Sequence, residues 1–160
     1  MRHVAIAAAL GLFGWVAFAG GQHPDKAAFT CPVTPPDPEV ELPESVKDQI
    51  FGWRDRYIAN EALVTTVPPE GRVEIVPENA TEEGLWDKWG WYRLLDGQLQ
   101  ITGHRLDAED APLDAHVPEG YGPNGFQSSG LLFPQAGCWQ VEGRLGEHVL
   151  TFVVDVVAPE

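Results

Sequence analysis

The stretch from 133 to 157, FPQAGCWQVEGRLGEHVLTFVVDVV, constrains the fold more than any other part of this 160-residue chain. Apolar and polar residues alternate on both sides of Gly146-Glu147, a dipeptide typical of a type II′ turn. The pattern predicts an antiparallel hairpin in which Trp139 pairs with Val154 on an inner, apolar face. In this register Cys138 lies on the opposite face, beside Asp155.

The first 19 residues have the pattern of a secretory signal peptide. Arg2 precedes an apolar run from Val4 to Ala19, which ends in the A-x-A sequence Ala17-Phe18-Ala19. We therefore expect cleavage before Gly20, no membrane insertion afterwards, and a secreted, periplasmic or cell-envelope location. The alternative is an uncleaved anchor, although the apolar run is shorter than a typical membrane span.

The chain has two cysteines, Cys31 and Cys138. Exported proteins fold under oxidising conditions, where an even pair of cysteines favours a disulfide over two free thiols. We therefore predict a bond between them. Cys31 opens the proline-rich stretch CPVTPPDPEVELPE, which favours an extended conformation. The bond would fasten a proline-rich arm, residues 20–44, over the outside of the sheet.

Two elements are predicted after the arm. Val46, Ile50, Trp53 and Tyr57 have helical spacing and indicate a short helix, although Gly52 interrupts it. The stretches 62–67 and 72–76 alternate with period two around the turn sequence PPEG, which indicates a hairpin.

A further hairpin is predicted around Asp96-Gly97, a dipeptide typical of type I′ turns. In this register Tyr92 faces Ile101 and Leu94 faces Leu99 on an apolar surface. The opposite face would carry aromatic and polar residues, namely Trp89, Trp91, Arg93 and His104. These four would form either an exposed ligand platform or a surface that the arm covers.

Several short strands joined by Pro- and Gly-rich connections predict an all-β protein. We expect an antiparallel immunoglobulin-like β-sandwich with a proline-rich N-terminal arm, in which residues 45–160 form one domain. The stretches GCWQV (137–141) and LTFVV (150–154) resemble the last two strands of immunoglobulin-like bacterial envelope domains. The longer stretch 103–152 resembles a set of small exported bacterial proteins of unknown function. This resemblance implies a fold and no particular activity.

Charge and motifs exclude several functions. The formal net charge of −14 disfavours nucleic acid and anionic lipid as partners. The sequence GYGPNG (120–125) matches G-x-G-x-x-G, but no strand–turn–helix context surrounds it, so we interpret it as a turn. Ser128 and Ser129 are not in a G-x-S-x-G context, and no catalytic residue is assigned. The histidines and acidic residues lack ligand spacing, so no metal or cofactor is predicted.

Two functional hypotheses remain. The first is a noncatalytic secreted or cell-envelope module that binds a protein or glycan partner or serves a structural role. The second is a small extracytoplasmic enzyme or metal-binding protein with its site at one end of the sandwich. An exposed aromatic surface would favour the first, and a deep pocket with histidine or paired carboxylates would favour the second.

Overall fold

The computed structural model describes residues 29–37, 39–50, 52, 56–109 and 111–160. The predicted signal peptide, residues 20–28 of the predicted arm, and Trp53 lie outside these residues. The regular elements, in chain order, are α1 (Glu44–Gln49), β1 (Tyr57–Ala59), β2 (Leu63–Thr66), β3 (Arg72–Glu74), a 3-10 turn (Pro77–Asn79), β4 (Ala80–Thr81), β5 (Gly84–Arg93), β6 (Leu99–Arg105), β7 (Asp114–His116), β8 (Gly125–Phe133), β9 (Gly137–Leu145) and β10 (His148–Val157).

The strands form two sheets, so the prediction of an all-β protein is confirmed. The first sheet has the order β1-β2-β5-β8-β7, and β4 pairs with β5 at its side. The second sheet has the order β3-β10-β9-β6. All of these pairs are antiparallel except β3 with β10, which is parallel.

One hydrophobic core joins the two sheets. Trp89 and Trp91 of the first sheet enter it from β5, and Trp139 and Phe152 enter it from the second sheet. The Trp89 and Phe152 rings stack with centroids 5.4 Å apart. Both tryptophan indoles of β5 are also hydrogen-bonded, since Trp91 Nε1 donates to Ser129 Oγ over 3.1 Å and Trp89 Nε1 donates to another first-sheet hydroxyl. Aromatic burial of this kind contributes strongly to folding.

The C-terminal hairpin has the predicted register. Trp139 pairs with Val154, and Cys138 pairs with Asp155. The turn glycine, Gly146, has a φ of 61°. Positive φ among the described residues is confined to glycine, so Glu147 has a negative φ, which matches a type II′ turn and excludes type I′.

The predicted disulfide is confirmed. Cys31 and Cys138 are bonded, with their Cα atoms 5.4 Å apart and 107 positions apart in sequence. Downstream of the bond, the Thr34 amide donates to the Val153 carbonyl of β10 over 2.9 Å. The Asp37 amide then donates to a carbonyl of β1 over 2.8 Å. This segment therefore links the edge of the second sheet to the edge of the first.

The helix α1 covers part of the outer face of the first sheet. The helix is shorter than the one that the helical spacing predicts, and Tyr57 belongs to β1 instead. A second apolar cluster forms between the helix and the sheet, with Leu42, Val46 and Ile50 on one side and Tyr57, Val64 and Tyr92 on the other. The cluster contains no residue of β8, so the helix does not cover the outer face of the sheet on the β8 side of Tyr92.

Two predicted hairpins are wrong. β5 and β6 flank Asp96-Gly97 but belong to different sheets, so Tyr92 does not face Ile101. A type I′ turn needs positive φ at both central residues, and Asp96 does not have it. The connection instead crosses from one sheet to the other. The strands β2 and β3 are likewise in different sheets, although both stretches form strands as predicted.

Candidate functional site

The four residues of the predicted ligand platform do not share a face. Trp89 and Trp91 are 4% and 0% exposed and lie in the core between the sheets. Arg93 is also buried, at the end of β5. His104 is exposed on β6, in the second sheet. The three β5 residues do share one face of their strand, but that face points between the sheets, and the incorrect hairpin register brings in only His104. The burial of both tryptophans excludes an open surface made from them.

Arg93 holds two connections together. Its Nη1 atom donates to the carbonyls of Gly97, over 2.6 Å, and Pro123, over 3.1 Å. Its Nη2 atom donates to the carbonyls of Gly122, over 2.5 Å, and Asn124, over 3.5 Å. The guanidinium therefore organises the glycine-rich turn 120–125 by binding its backbone oxygens.

A pocket of about 400 Å³ lies beside this arginine. Arg93 and Gln127 both contribute to its lining, and each has a buried polar atom without a protein partner, Arg93 Nε and Gln127 Oε1. Burial lowers the pKa of the Arg93 guanidinium, and the nearby Asp96 carboxylate opposes this effect. Both unpaired atoms are inaccessible to solvent, and the other guanidinium nitrogens bind backbone carbonyls, so the contacts of Arg93 account for the turn and do not define a ligand site.

A different aromatic surface lies on the outer face of the first sheet. β8 directs Leu131 and Phe133 into the core, so its alternate residues Phe126, Ser128 and Gly130 face outward. The neighbouring strand β5 directs Trp86 to the same side, because Trp86 pairs with residue 132 of β8. This outer β5–β8 face lies beyond the area that α1 covers.

Three rings form a row on the outer β5–β8 face. The Tyr121 and Phe126 rings meet edge to face, with centroids 6.4 Å apart, and Tyr121 Oη lies 3.0 Å from Ser128 Oγ. The Trp86 indole lies over Gly130, since a Cβ atom at that glycine would be 2.8 Å from Trp86 Nε1. We call Trp86, Tyr121 and Phe126 the aromatic strip.

The aromatic strip is open to solvent. Trp86 is 38% exposed, Tyr121 39% and Phe126 48%. These are large exposed fractions for side chains of this size, and the three lie on one face of one sheet. Exposed aromatic rings that share one face of a sheet are characteristic of binding surfaces.

The polar groups around the strip differ in charge. Lys88 of β5 pairs with Gly130 and faces outward beside it. Asp114 and His116 of β7 are exposed on the far side of β8. The hydrogen bond from Ser128 lowers the pKa of the Tyr121 hydroxyl, with a smaller contribution from the Lys88 charge. The strip is therefore bordered by hydrogen-bonding groups and by charges of both signs.

Catalytic arrangements are not evident in the described part of the chain. No three His, Cys, Asp or Glu side chains among the described residues converge to hold a metal ion. His148 Nδ1 lies 2.8 Å from Glu61 Oε1 at the surface. The Asp87 pKa is raised because burial disfavours its charged form, but it faces the interior between Leu85 and Trp89.

Comparison of the chain with models of known protein families and with curated protein sequences finds no match. No helix in the described part of the chain has the length and apolar character needed to cross a membrane.

The sequence contains a signal for the strip that the predicted hairpin obscured. Trp86 is an odd number of positions from Trp89 and Trp91, so it points to the opposite face of the same strand. Once two tryptophans are assigned to the core, the third must face outward. Tyr121 could not be placed in this way, because it reaches Ser128 from a turn outside the strand.

Proposed function

We propose that this chain is an exported, noncatalytic immunoglobulin-like module that binds a protein or glycan partner through the aromatic strip. The observation that carries the proposal is the exposure of Trp86, Tyr121 and Phe126 on one sheet face. Aromatic rings supply a large contact area at low entropic cost, and they often provide most of the affinity of a binding surface.

The strand order supports the immunoglobulin-like assignment. Immunoglobulin domains place strands A, B, E and D in one sheet and C, F and G in the other. In this chain the first sheet contains the order β2-β5-β8-β7 and the second the order β6-β9-β10, which match A-B-E-D and C-F-G when the strands are counted along the chain. β3 follows β2 in sequence and pairs in parallel with β10 of the second sheet. We compare it with a second half of strand A that crosses from one sheet to the other.

The disulfide departs from the antibody pattern. In antibody domains the bond joins strands B and F through the core. Here Cys138 is the second residue of β9, the strand that we compare with F, and its partner Cys31 precedes the first strand. A bond of this kind persists in oxidising compartments, which supports the export predicted from the N-terminal sequence.

A binding test can be designed without knowing the partner. The protein would be co-sedimented with the insoluble cell-envelope fraction of its source organism, and a Trp86→Ala/Tyr121→Ala variant would be compared with wild type. The matched control is Phe29→Ala, which removes an aromatic ring that is exposed but lies outside the strip. Thermal unfolding would establish that all three proteins are folded.

We expect wild type and Phe29→Ala to sediment with the envelope and the double variant to remain in solution. Equal sedimentation of the double variant would show that the strip is not the binding surface. Absence of sedimentation by the wild-type protein would count against a cell-envelope partner altogether.

A further inference from the structure

We infer that the partner of the aromatic strip is a linear, uncharged glycan that lies along β8. This inference rests on the proposed function, because it names the chemical class that the strip would bind.

The direction of the strip favours an elongated ligand. Tyr121 reaches β8 at Ser128 and Trp86 reaches it at Gly130, so the two contact points are about 7 Å apart along the strand. Phe126 adds a third ring beyond Tyr121 in the same direction. Successive rings in a row can stack on successive sugar units, whereas one isolated sugar would contact only part of the strip.

The floor beside the rings suits a chain that lies on the surface. Gly90 pairs with Ser128, and Lys88 pairs with Gly130, so two of these four outward positions have no side chain. The Trp86 indole covers Gly130, so the open part of this floor lies at Gly90, beside Ser128. Sugars present an apolar C–H face for stacking and hydroxyl groups at their edges, and the Ser128 hydroxyl and the Lys88 ammonium can bind such groups.

Charge favours a neutral glycan over an anionic one. The chain has a formal net charge of −14, so its average field repels polyanions. Lys88 pairs with Gly130 and Asp114 pairs with residue 132, so they face outward two positions apart along β8 and have opposite signs. The strip consequently offers no local excess of positive charge to overcome the repulsion.

The same surface is less suited to a protein partner. A stable protein interface buries about 800 Å² on each side and usually has a contiguous, well-packed centre. On this face the rings of Trp86 and Tyr121 are separated by positions with small or polar side chains, and α1 closes one end at Tyr92. The experiment below must therefore distinguish a glycan partner from a protein partner.

The test uses the intact, disulfide-bonded protein and titration calorimetry. The probes are cellohexaose and chitohexaose as neutral linear glycans, cellobiose as a short one, and polygalacturonate as a linear polyanion. We expect at least one neutral hexaose to bind. It should bind about tenfold or more tightly than its disaccharide, because only the longer chain can span more than one ring. Polygalacturonate should not bind at low salt, where charge repulsion is strongest.

Variants assign the binding to the strip. Trp86→Ala and Tyr121→Ala should each weaken hexaose binding by about tenfold, and Phe29→Ala should leave it unchanged. Binding of polygalacturonate with affinity equal to that of the neutral hexaoses, or equal affinity for the disaccharide and hexaose, would overturn the inference.

The two proposals fail in different ways. If neither neutral hexaose binds while the envelope fraction still retains the wild-type protein and not the double variant, the glycan inference is wrong and the proposed function stands. If the double variant is retained like the wild type, the proposed function is wrong, and the glycan inference is wrong with it.

Discussion

The indole of Trp86 lies on the surface of Gly130, and the indole of Trp91 lies on Gly143 in the core. A Cβ atom at residue 130 would be 2.8 Å from Trp86 Nε1, and one at residue 143 would be closer still to Trp91 Cζ3. In both cases an indole lies against a glycine, and the two contacts differ in burial, since Trp86 is exposed and Trp91 is not. They consequently provide a matched pair of substitutions.

Gly130→Ala should displace the Trp86 ring without unfolding the protein. The ring can move toward solvent, so the free energy of unfolding should change by less than about 1 kcal/mol. The Trp86 indole N–H resonance should shift in an NMR spectrum, and binding by the strip should weaken. Unchanged binding with a displaced ring would mean that the partner does not depend on the position of the Trp86 indole over Gly130.

Gly143→Ala should be strongly destabilising. The ring of Trp91 is enclosed on all sides and its Nε1 atom is fixed by Ser129, so it cannot move away from an added methyl group. Overpacking of this kind costs about 1–3 kcal/mol or more. Urea unfolding of the two alanine variants measures the difference, and equal midpoints would contradict the assignment of Trp91 to the rigid core.

The same residues show how far the sequence could predict this structure. The register around Gly146-Glu147 was predictable because a short turn joins strands that do pair. At Asp96-Gly97 the same reasoning failed, because apolar alternation is identical on the inner faces of both sheets. Local sequence therefore did not reveal that the chain crosses from one sheet to the other.

The aromatic strip was only partly predictable for a related reason. The outward direction of Trp86 follows from strand alternation, once Trp89 is placed in the core. The position of Tyr121 over Ser128 depends on a turn whose carbonyls are held by Arg93, a contact between distant elements. Such contacts depend on the packing of the whole domain and have no local sequence signal.

Removal of the disulfide should destabilise the protein and release the segment that precedes α1. Replacing Cys31 and Cys138 with serine should lower the free energy of unfolding by about 2–5 kcal/mol, because the bond closes a long loop in the unfolded chain. Hydrogen exchange should increase at Thr34 and Asp37, whose amides bind β10 and β1. Protection equal to wild type at both amides would show that these hydrogen bonds do not depend on the bond.

Replacement of Arg93 should disturb the 120–125 turn and, through it, Tyr121. Arg93→Met leaves several backbone carbonyls without their charged donor, which should cost about 2–4 kcal/mol. Arg93→Lys should recover only part of the loss, because an ammonium lacks the planar array of donors. If Arg93→Lys matched wild type in both unfolding midpoint and Tyr121 hydroxyl titration, charge alone would explain the contact.

Asp87→Asn should stabilise the protein at neutral pH. Burial raises the pKa of Asp87 above its ordinary value of 3.8, so the folded state binds a proton more readily than the unfolded state. For this group, stability is greatest when the carboxyl is protonated in both states and is lost as the pH rises through the folded pKa. The neutral amide avoids that loss and can accept the same Lys88 backbone hydrogen bond.

The pH dependence of the difference between the two proteins tests the assignment. Unfolding of wild type and Asp87→Asn would be measured from neutral pH down to below about 3.8, the ordinary carboxyl value. The advantage of the variant should be constant above the folded pKa of Asp87 and should shrink steadily below it. Comparison with Asp114→Asn, which changes an exposed carboxylate on the outer face, separates burial from the general effect of lowering net charge. An advantage that grows at low pH would mean that the Asp87 carboxylate is stabilised, rather than penalised, in the folded protein.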